Sequence, residues 1–243
     1  MHNTKQRYSA FIFIMMIYSL YLSASEIIGT IDKVKGNVKV KHVKVLKKQK
    51  VKDGDSLEKG DLLMTSKASF AVITLKDGSV FSLKESSLLR FYANNSIKQL
   101  DGKIYYKIKS RLASNRLKIE TPFAIIGIKG TTFIINATSD EKSILLKEGK
   151  IGIESIHQEF LLYKQKINQA FDDFKNKTYS DFNNYKAKNS LYSSPVKIKE
   201  FDLSAQYKVS FNKNKVYEDP FEREERDTFK SFETFIKESK INK

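Results

Sequence analysis

None of the 243 residues is cysteine. That excludes disulfides, thiolate nucleophiles, lipid attachment through a cysteine and every cysteine-containing zinc site. Histidine is nearly as scarce, with three in the chain. His42 lies in a Lys/Val-rich stretch and His157 opens a helical pattern, and the sequence contains no G-x-S-x-G elbow near either. So few imidazoles leave little for acid–base work or transition-metal ligation. P-loop and dinucleotide fingerprints are missing as well. Carboxylates that could pair to cut a glycan, namely Asp53, Asp55, Asp61, Asp77 and Asp101, stand beside glycine. Aspartate in such turns bonds its own backbone. The expectation is a non-enzymatic chain with no catalytic, cofactor-binding or metal-ligating residue and no cofactor.

Long apolar runs are also rare, and the one present is informative. Ala10–Leu22 is almost purely apolar, follows the cations Lys5 and Arg7, and precedes the small residues Ser23, Ala24 and Ser25. A basic flank, a short apolar run and a small-residue site form a secretory signal. About 20 apolar residues are needed to span a bilayer, so residues 1–25 read as a signal peptide, with an uncleaved anchor as the alternative. The remainder is expected to be exported, periplasmic and soluble. The absence of disulfides suits that compartment in a chain large enough to fold without them.

Acidic residues are in deficit: 28 against 44 lysines and arginines, for a formal charge of +16. Losing Lys5 and Arg7 with the signal lowers this to +14. Such a charge attracts anionic polymers or headgroups, although the lysines are dispersed, with Lys39–Lys52 the densest region. An exported protein has little access to nucleic acid, so that partner is not expected.

Two regions differ in period. Residues 27–155 alternate or run in short β-branched and aromatic stretches punctuated by glycine. Phe70–Leu75 and Val80–Leu83 flank Asp77-Gly78, a strong hairpin signal. Similar phrases recur at Leu100–Ile108 and Leu146–Ile153. Gly54, Gly78 and Gly102 are 24 apart, Gly127 follows after 25 and Gly149 after 22. This spacing fits stacked two-strand units, as in a β-roll or short β-solenoid, and equally a hairpin-rich sandwich.

Residues 156–243 read as an α-helical C-terminal region. Ile156, Phe160, Tyr163, Ile167, Phe171 and Phe174 recur at helical intervals. An extended segment is expected near 195–216. A second helix is expected from Asp219-Pro220, with Glu222 completing a capping pattern and Phe229, Phe232 and Ile236 on its apolar side. These helices would dock on the β region or on each other, or serve as an arm for a partner.

The phrases of the β region resemble the FecR domain. Asp77-Gly78-Ser79, Leu100–Ile108 around Gly102, Thr121-Pro122, Gly130-Thr131-Thr132-Phe133 and Leu146–Ile153 around Gly149 carry the resemblance, which spans about Gly29–Glu154. It implies an all-β FecR-type domain in its stand-alone exported form. The signature residues Asp77, Gly78, Ser79, Gly102, Thr121, Pro122, Gly130, Thr131, Phe133 and Gly149 are expected to be structural, serving tight bends, edges and core. Well-known members of the family regulate iron uptake through a cytoplasmic anti-sigma segment. The apolar run at the start leads us to expect no such segment here.

The function so implied is a binding or sensing module making protein–protein contacts in the cell envelope. The alternative is binding to an anionic envelope polymer such as peptidoglycan or lipopolysaccharide. Membrane contact is expected only through an uncleaved signal. A basic aromatic face could draw on Tyr105, Tyr106, Lys107 and Lys109, but strand alternation sends the two tyrosines to opposite faces.

Overall fold

Among the described residues, alternating β-branched and aromatic residues build twenty strands, and one helix follows them. The computed structural model describes residues 26–93, 95–109, 116–165 and 192–241. The first strands are β1 (Ile27–Lys35), β2 (Val38–Lys41), β3 (Gln49–Lys50), β4 (Ser56–Glu58), β5 (Leu62–Thr65), β6 (Phe70–Leu75) and β7 (Val80–Leu83). Then come β8 (Leu88–Ala93), β9 (Ser96–Asp101), β10 (Lys103–Lys107), β11 (Leu117–Glu120), β12 (Ile125–Ile128), β13 (Thr132–Ala137), β14 (Lys142–Glu148) and β15 (Lys150–Glu154). The chain closes with β16 (Phe160–Lys164), β17 (Val196–Ile198), β18 (Glu200–Ser204), β19 (Tyr207–Asn212), β20 (Lys215–Pro220) and the helix α1 (Arg223–Ile241).

The strands form two sheets laid face to face. The first, with eleven strands, runs β17-β16-β20-β19-β14-β13-β10-β7-β6-β1-β4; the second, with nine, runs β18-β15-β12-β11-β9-β8-β5-β2-β3. Both advance along the chain together, because short antiparallel units are laid alternately on one sheet and the other. Two pairings are parallel, β9 with β11 and β16 with β20. This arrangement is all-β, with two layers as in a sandwich and short units stacked along the chain as in a β-roll.

One continuous core fills the space between the sheets, from Ile28 to Val216. Aromatic rings bridge the layers: Phe81 of the first sheet faces Phe91 of the second at 6.5 Å, and Phe160 meets Phe201 at 5.9 Å. Burying such rings supplies much of the stabilisation, about 1.5–3 kcal/mol for each large apolar side chain.

The glycine spacing has a geometric origin. Gly54, Gly78, Gly102 and Gly149 all take positive φ between strands. Only Gly78 closes a hairpin within one sheet; Gly102 turns the chain from the second sheet to the first, and Gly149 turns it back. Gly102 and Gly149 also lack room for a side chain. A Cβ on Gly102 would lie 2.4 Å from Ser87 Cα, and one on Gly149 would lie 2.6 Å from the Gly130 carbonyl. Gly127 belongs to none of these corners, because it sits within β12.

The C-terminal region differs from its helical reading. Residues 160–164 are strand β16, and β17–β20 carry both sheets on beyond Ser155. Phe160 and Leu162 face the core, a period of two that lies concealed within the three-and-four spacing of Ile156, Phe160 and Tyr163. Ile167, Phe171, Phe174 and the expected break near Thr178 lie outside the described residues, as do residues 1–25. The extended segment near 195–216 is present as strands. The second helix starts at Arg223 rather than at Pro220, since Asp219 and Pro220 complete β20. Its capping box is shifted with it: the Glu222 N–H donates to Glu225 Oε2 at 2.8 Å.

Helix α1 lies on the outer face of the first sheet. Phe221, Phe229, Phe232 and Ile236 pack against Tyr105, Ile134 and Leu145. Ion pairs Lys147–Glu233 (2.6 Å) and Lys208–Glu225 flank this contact. The apolar side of the helix is therefore used within the molecule, leaving no bare apolar face for a partner on that side. Among the described residues, no helix is long and apolar enough to cross a membrane.

Candidate functional site

The signature residues fall in separate turns and corners, except that Gly130 and Thr131 meet Gly149. Asp77 Oδ1 accepts from the Ser79 N–H and Oδ2 from the Ser79 hydroxyl, both at 2.9 Å, closing the β6–β7 turn around Gly78. Thr121 closes the β11–β12 turn: its Oγ1 accepts from the Ala124 N–H at 2.9 Å and donates to the Ala124 carbonyl at 2.8 Å. Pro122 is exposed in that turn. Phe133 is fully buried and stacks on Tyr106 at 5.0 Å. Thr131 is buried beside Gly149, which its methyl group approaches. Its hydroxyl has no hydrogen-bond partner among the described residues. These ten residues do not converge on any one cavity.

Tyr105 and Tyr106 do point to opposite faces, and both are buried. Tyr106 enters the core, and Tyr105 lies beneath α1 with Phe232 at 5.7 Å. Burial first, then the nearby carboxylates Glu233 and Glu148, push the Tyr105 phenol far above its ordinary value. The basic aromatic face imagined around Lys107 and Lys109 is therefore not assembled, because the helix covers its tyrosine.

His42 gathers two carboxylates. Its Nδ1 lies 2.8 Å from Asp61 Oδ1 and 3.8 Å from Glu58 Oε2, a grouping of metal-ligating types. Asp61 Oδ2 also accepts from the Glu58 N–H at 2.9 Å, so protein groups already engage both carboxylate oxygens. Burial raises the Asp61 carboxyl above its ordinary value, against the opposing hydrogen bonds from the Glu58 N–H and His42. The trio accordingly reads as an anchor for the β2–β3 connection.

The residues that do converge line an open groove of about 820 Å³ on the outer face of the second sheet, across β11, β12, β15 and β18. Its floor is made by two identical tripeptides. Ile126-Gly127-Ile128 and Ile151-Gly152-Ile153 pair in register, with Gly127 opposite Gly152. Their isoleucines are buried in the core, so alternation turns both glycines outward. The row continues to Lys118 on one side and Asp202 on the other.

Nothing in the fold requires glycine at these two positions. Neither is among the positive-φ residues. A Cβ on Gly127 meets nothing within 4 Å, and one on Gly152 meets only Asp202 Oδ1 at an ordinary 3.8 Å. Glycine inside a strand costs about 0.5–1 kcal/mol relative to alanine and marks places where a ligand or another backbone approaches closely. Charges of both signs flank the bare floor. Arg116, Lys129 and Lys150 line one end and Glu154 and Glu200 the other; Lys150 also pairs with Asp202 at 2.7 Å.

Gly127 attracts notice in the sequence only as one member of a spacing series. The doubled Ile-Gly-Ile was the available signal, and pairing across the sheet is what gives it meaning.

Residues 61–152 match the family model described as FecR protein. The chain thus carries a FecR domain over that span, from Asp61 before β5 to Gly152 in β15. Both floor glycines, Gly127 and Gly152, fall within the domain, Gly152 as its last residue, and Asp202 and Glu200 of β18 wall the groove from outside. No curated protein matches the chain. Two crystal structures of a candidate anti-sigma factor from Parabacteroides distasonis are similar at 11% identity and a TM-score of 0.44. Each match covers 65% of this chain and 59% of that protein, so the chain spans less than two thirds of its length.

Proposed function

We propose that the chain is an exported, non-catalytic module that binds a protein partner in the cell envelope, and that the partner lies on the glycine-floored groove. The observation that carries this reading is the opposed pair Gly127 and Gly152, two strand-weakening residues that the fold itself does not need. A flat floor without side chains suits an aromatic ring laid across it, much as aromatic side chains cover strand glycines. The cations at one end and carboxylates at the other suit a peptide segment carrying both signs. A uniformly anionic polymer would meet repulsion from Glu154 and Glu200.

The test places a photo-reactive residue at Asp202 in intact cells, with and without Gly127→Val. A discrete crosslinked protein that falls at least tenfold with Gly127→Val supports the reading. Valine should leave thermal stability equal or raised, because its side chain has room and suits a strand. Equal crosslinking in both proteins, or no crosslinked species at all, overturns it.

The formal charge supports a second reading, binding to an anionic envelope polymer such as peptidoglycan or lipopolysaccharide. Sedimentation with purified cell wall should then fall steeply as salt rises. Retention that ignores salt would count against any part played by that charge.

A further inference from the structure

The β2–β3 connection stands at the far edge of the second sheet, where β3 is the last strand. Its base is held firmly: Val40 pairs with Gln49, His42 meets Asp61 at 2.8 Å, and Val38 and Val51 are buried in the core. The tip beyond that base is unusual. Leu46 is 94% exposed and Val43 71%, the most exposed large apolar side chains among the described residues. Lysines surround them: positions 39, 41, 44, 47, 48, 50 and 52 are all lysine, and no acidic residue occurs from Val38 to Lys52.

Edge protection accounts for the lysines, since charged edge strands resist pairing with another chain. It gives no role to Leu46 or to the exposed part of Val43, whose Cγ2 lies over Gly60, and a solvated tip would replace both with polar residues. A protein partner fits poorly as well. Stable protein interfaces cover about 800 Å² on each side and are depleted in lysine. A bilayer surface, by contrast, accepts a narrow apolar tip while lysine stems lie along it with their ammonium groups among anionic headgroups.

We propose that the Lys41–Lys50 tip docks on an anionic lipid bilayer, with Val43 and Leu46 entering the interface and Lys44, Lys47 and Lys48 meeting the headgroups. This contact is separate from the groove, and either can hold without the other.

The chain has no tryptophan, so Leu46→Trp places a single reporter at the tip of the full-length protein. Titration with phosphatidylcholine vesicles containing phosphatidylglycerol should shift its emission to the blue, and brominated acyl chains should quench it. Pure phosphatidylcholine vesicles should do neither. Replacing Lys44, Lys47 and Lys48 by glutamine should weaken the response at least tenfold, since each lysine near an anionic surface is worth roughly fivefold in affinity. Insertion through Ala10–Leu22 alone would leave the indole unquenched. Unchanged emission with anionic vesicles overturns the proposal, and so does an equal shift with soluble polyphosphate, which would assign the tip to polyanions rather than a bilayer.

Discussion

Gln99 shows how a single side chain can hold both sheets of this protein. It is fully buried in β9, where its Oε1 accepts from the Tyr106 hydroxyl at 2.8 Å. Its Nε2 donates to the Gly102 carbonyl at 2.7 Å and to that of Ile135 at 3.2 Å. The amide thus ties the second sheet to β10 and β13 of the first and fixes the corner at Gly102. Burial pushes the Tyr106 phenol well above its ordinary value, so it stays a neutral donor. Gln99→Leu should leave the buried Tyr106 hydroxyl without its acceptor and remove the amide's bonds to both carbonyls, although that of Gly102 keeps the Ala137 N–H at 2.9 Å; the cost should be about 1–3 kcal/mol. Adding Tyr106→Phe should cost less than the sum of the two single changes, because each removes the same hydrogen bond. Denaturant unfolding of the four proteins measures the coupling, and strict additivity would dismiss the network.

Helix α1 is the clearest element-scale unit, and a partly buried ion pair, Lys208–Glu225, ties it down. Burial opposes ionisation of Glu225, but hydrogen bonds from Lys208 and the Glu222 N–H outweigh it and hold the carboxyl below its ordinary value of 4.5. Burial likewise opposes the charge on Lys208, and Glu225 raises its ammonium above the ordinary 10.5. The signs follow. The carboxylate's contribution is complete above pH 4.5 and is lost as pH falls through its lower folded value. The ammonium's contribution is complete below pH 10.5 and is lost as pH rises through its higher folded value. Glu225→Gln should cost about 1–2 kcal/mol at pH 7, and the gap to wild type should close toward pH 3. A gap that persists at acid pH would assign the loss to packing. The apolar half of this contact is readable in the sequence, since Phe229, Phe232 and Ile236 follow a helical period. Their receiving surface is not, because Tyr105, Ile134 and Leu145 meet only across three paired strands.

At the scale of the whole molecule, the C-terminal strands and the FecR domain share one core. Phe160 of β16 touches Phe201 and Phe211 at 5.9 and 5.8 Å, and Phe211 in turn touches Phe123 at 4.6 Å. Phe160→Ala should therefore cost about 3–5 kcal/mol within a single cooperative transition that takes the FecR span with it. Separate transitions for the two parts, read by circular dichroism and by hydrogen exchange, would contradict the shared core.

Local chemistry determined much of this protein before any folding. Asp77-Gly78-Ser79 specifies its own turn, glycine is the residue suited to the positive-φ corners, and alternation sends Tyr105 and Tyr106 to opposite faces whatever lies around them. Tertiary structure decided what those faces meet: a core for Tyr106, a helix for Tyr105. It also decided that Phe160 belongs to a strand, because a few apolar residues fit either period until a neighbouring strand accepts their hydrogen bonds. The groove depends on pairing in the same way. One glycine between two isoleucines is a weak spot in a strand; two of them opposite each other, between Lys118 and Asp202, make a surface.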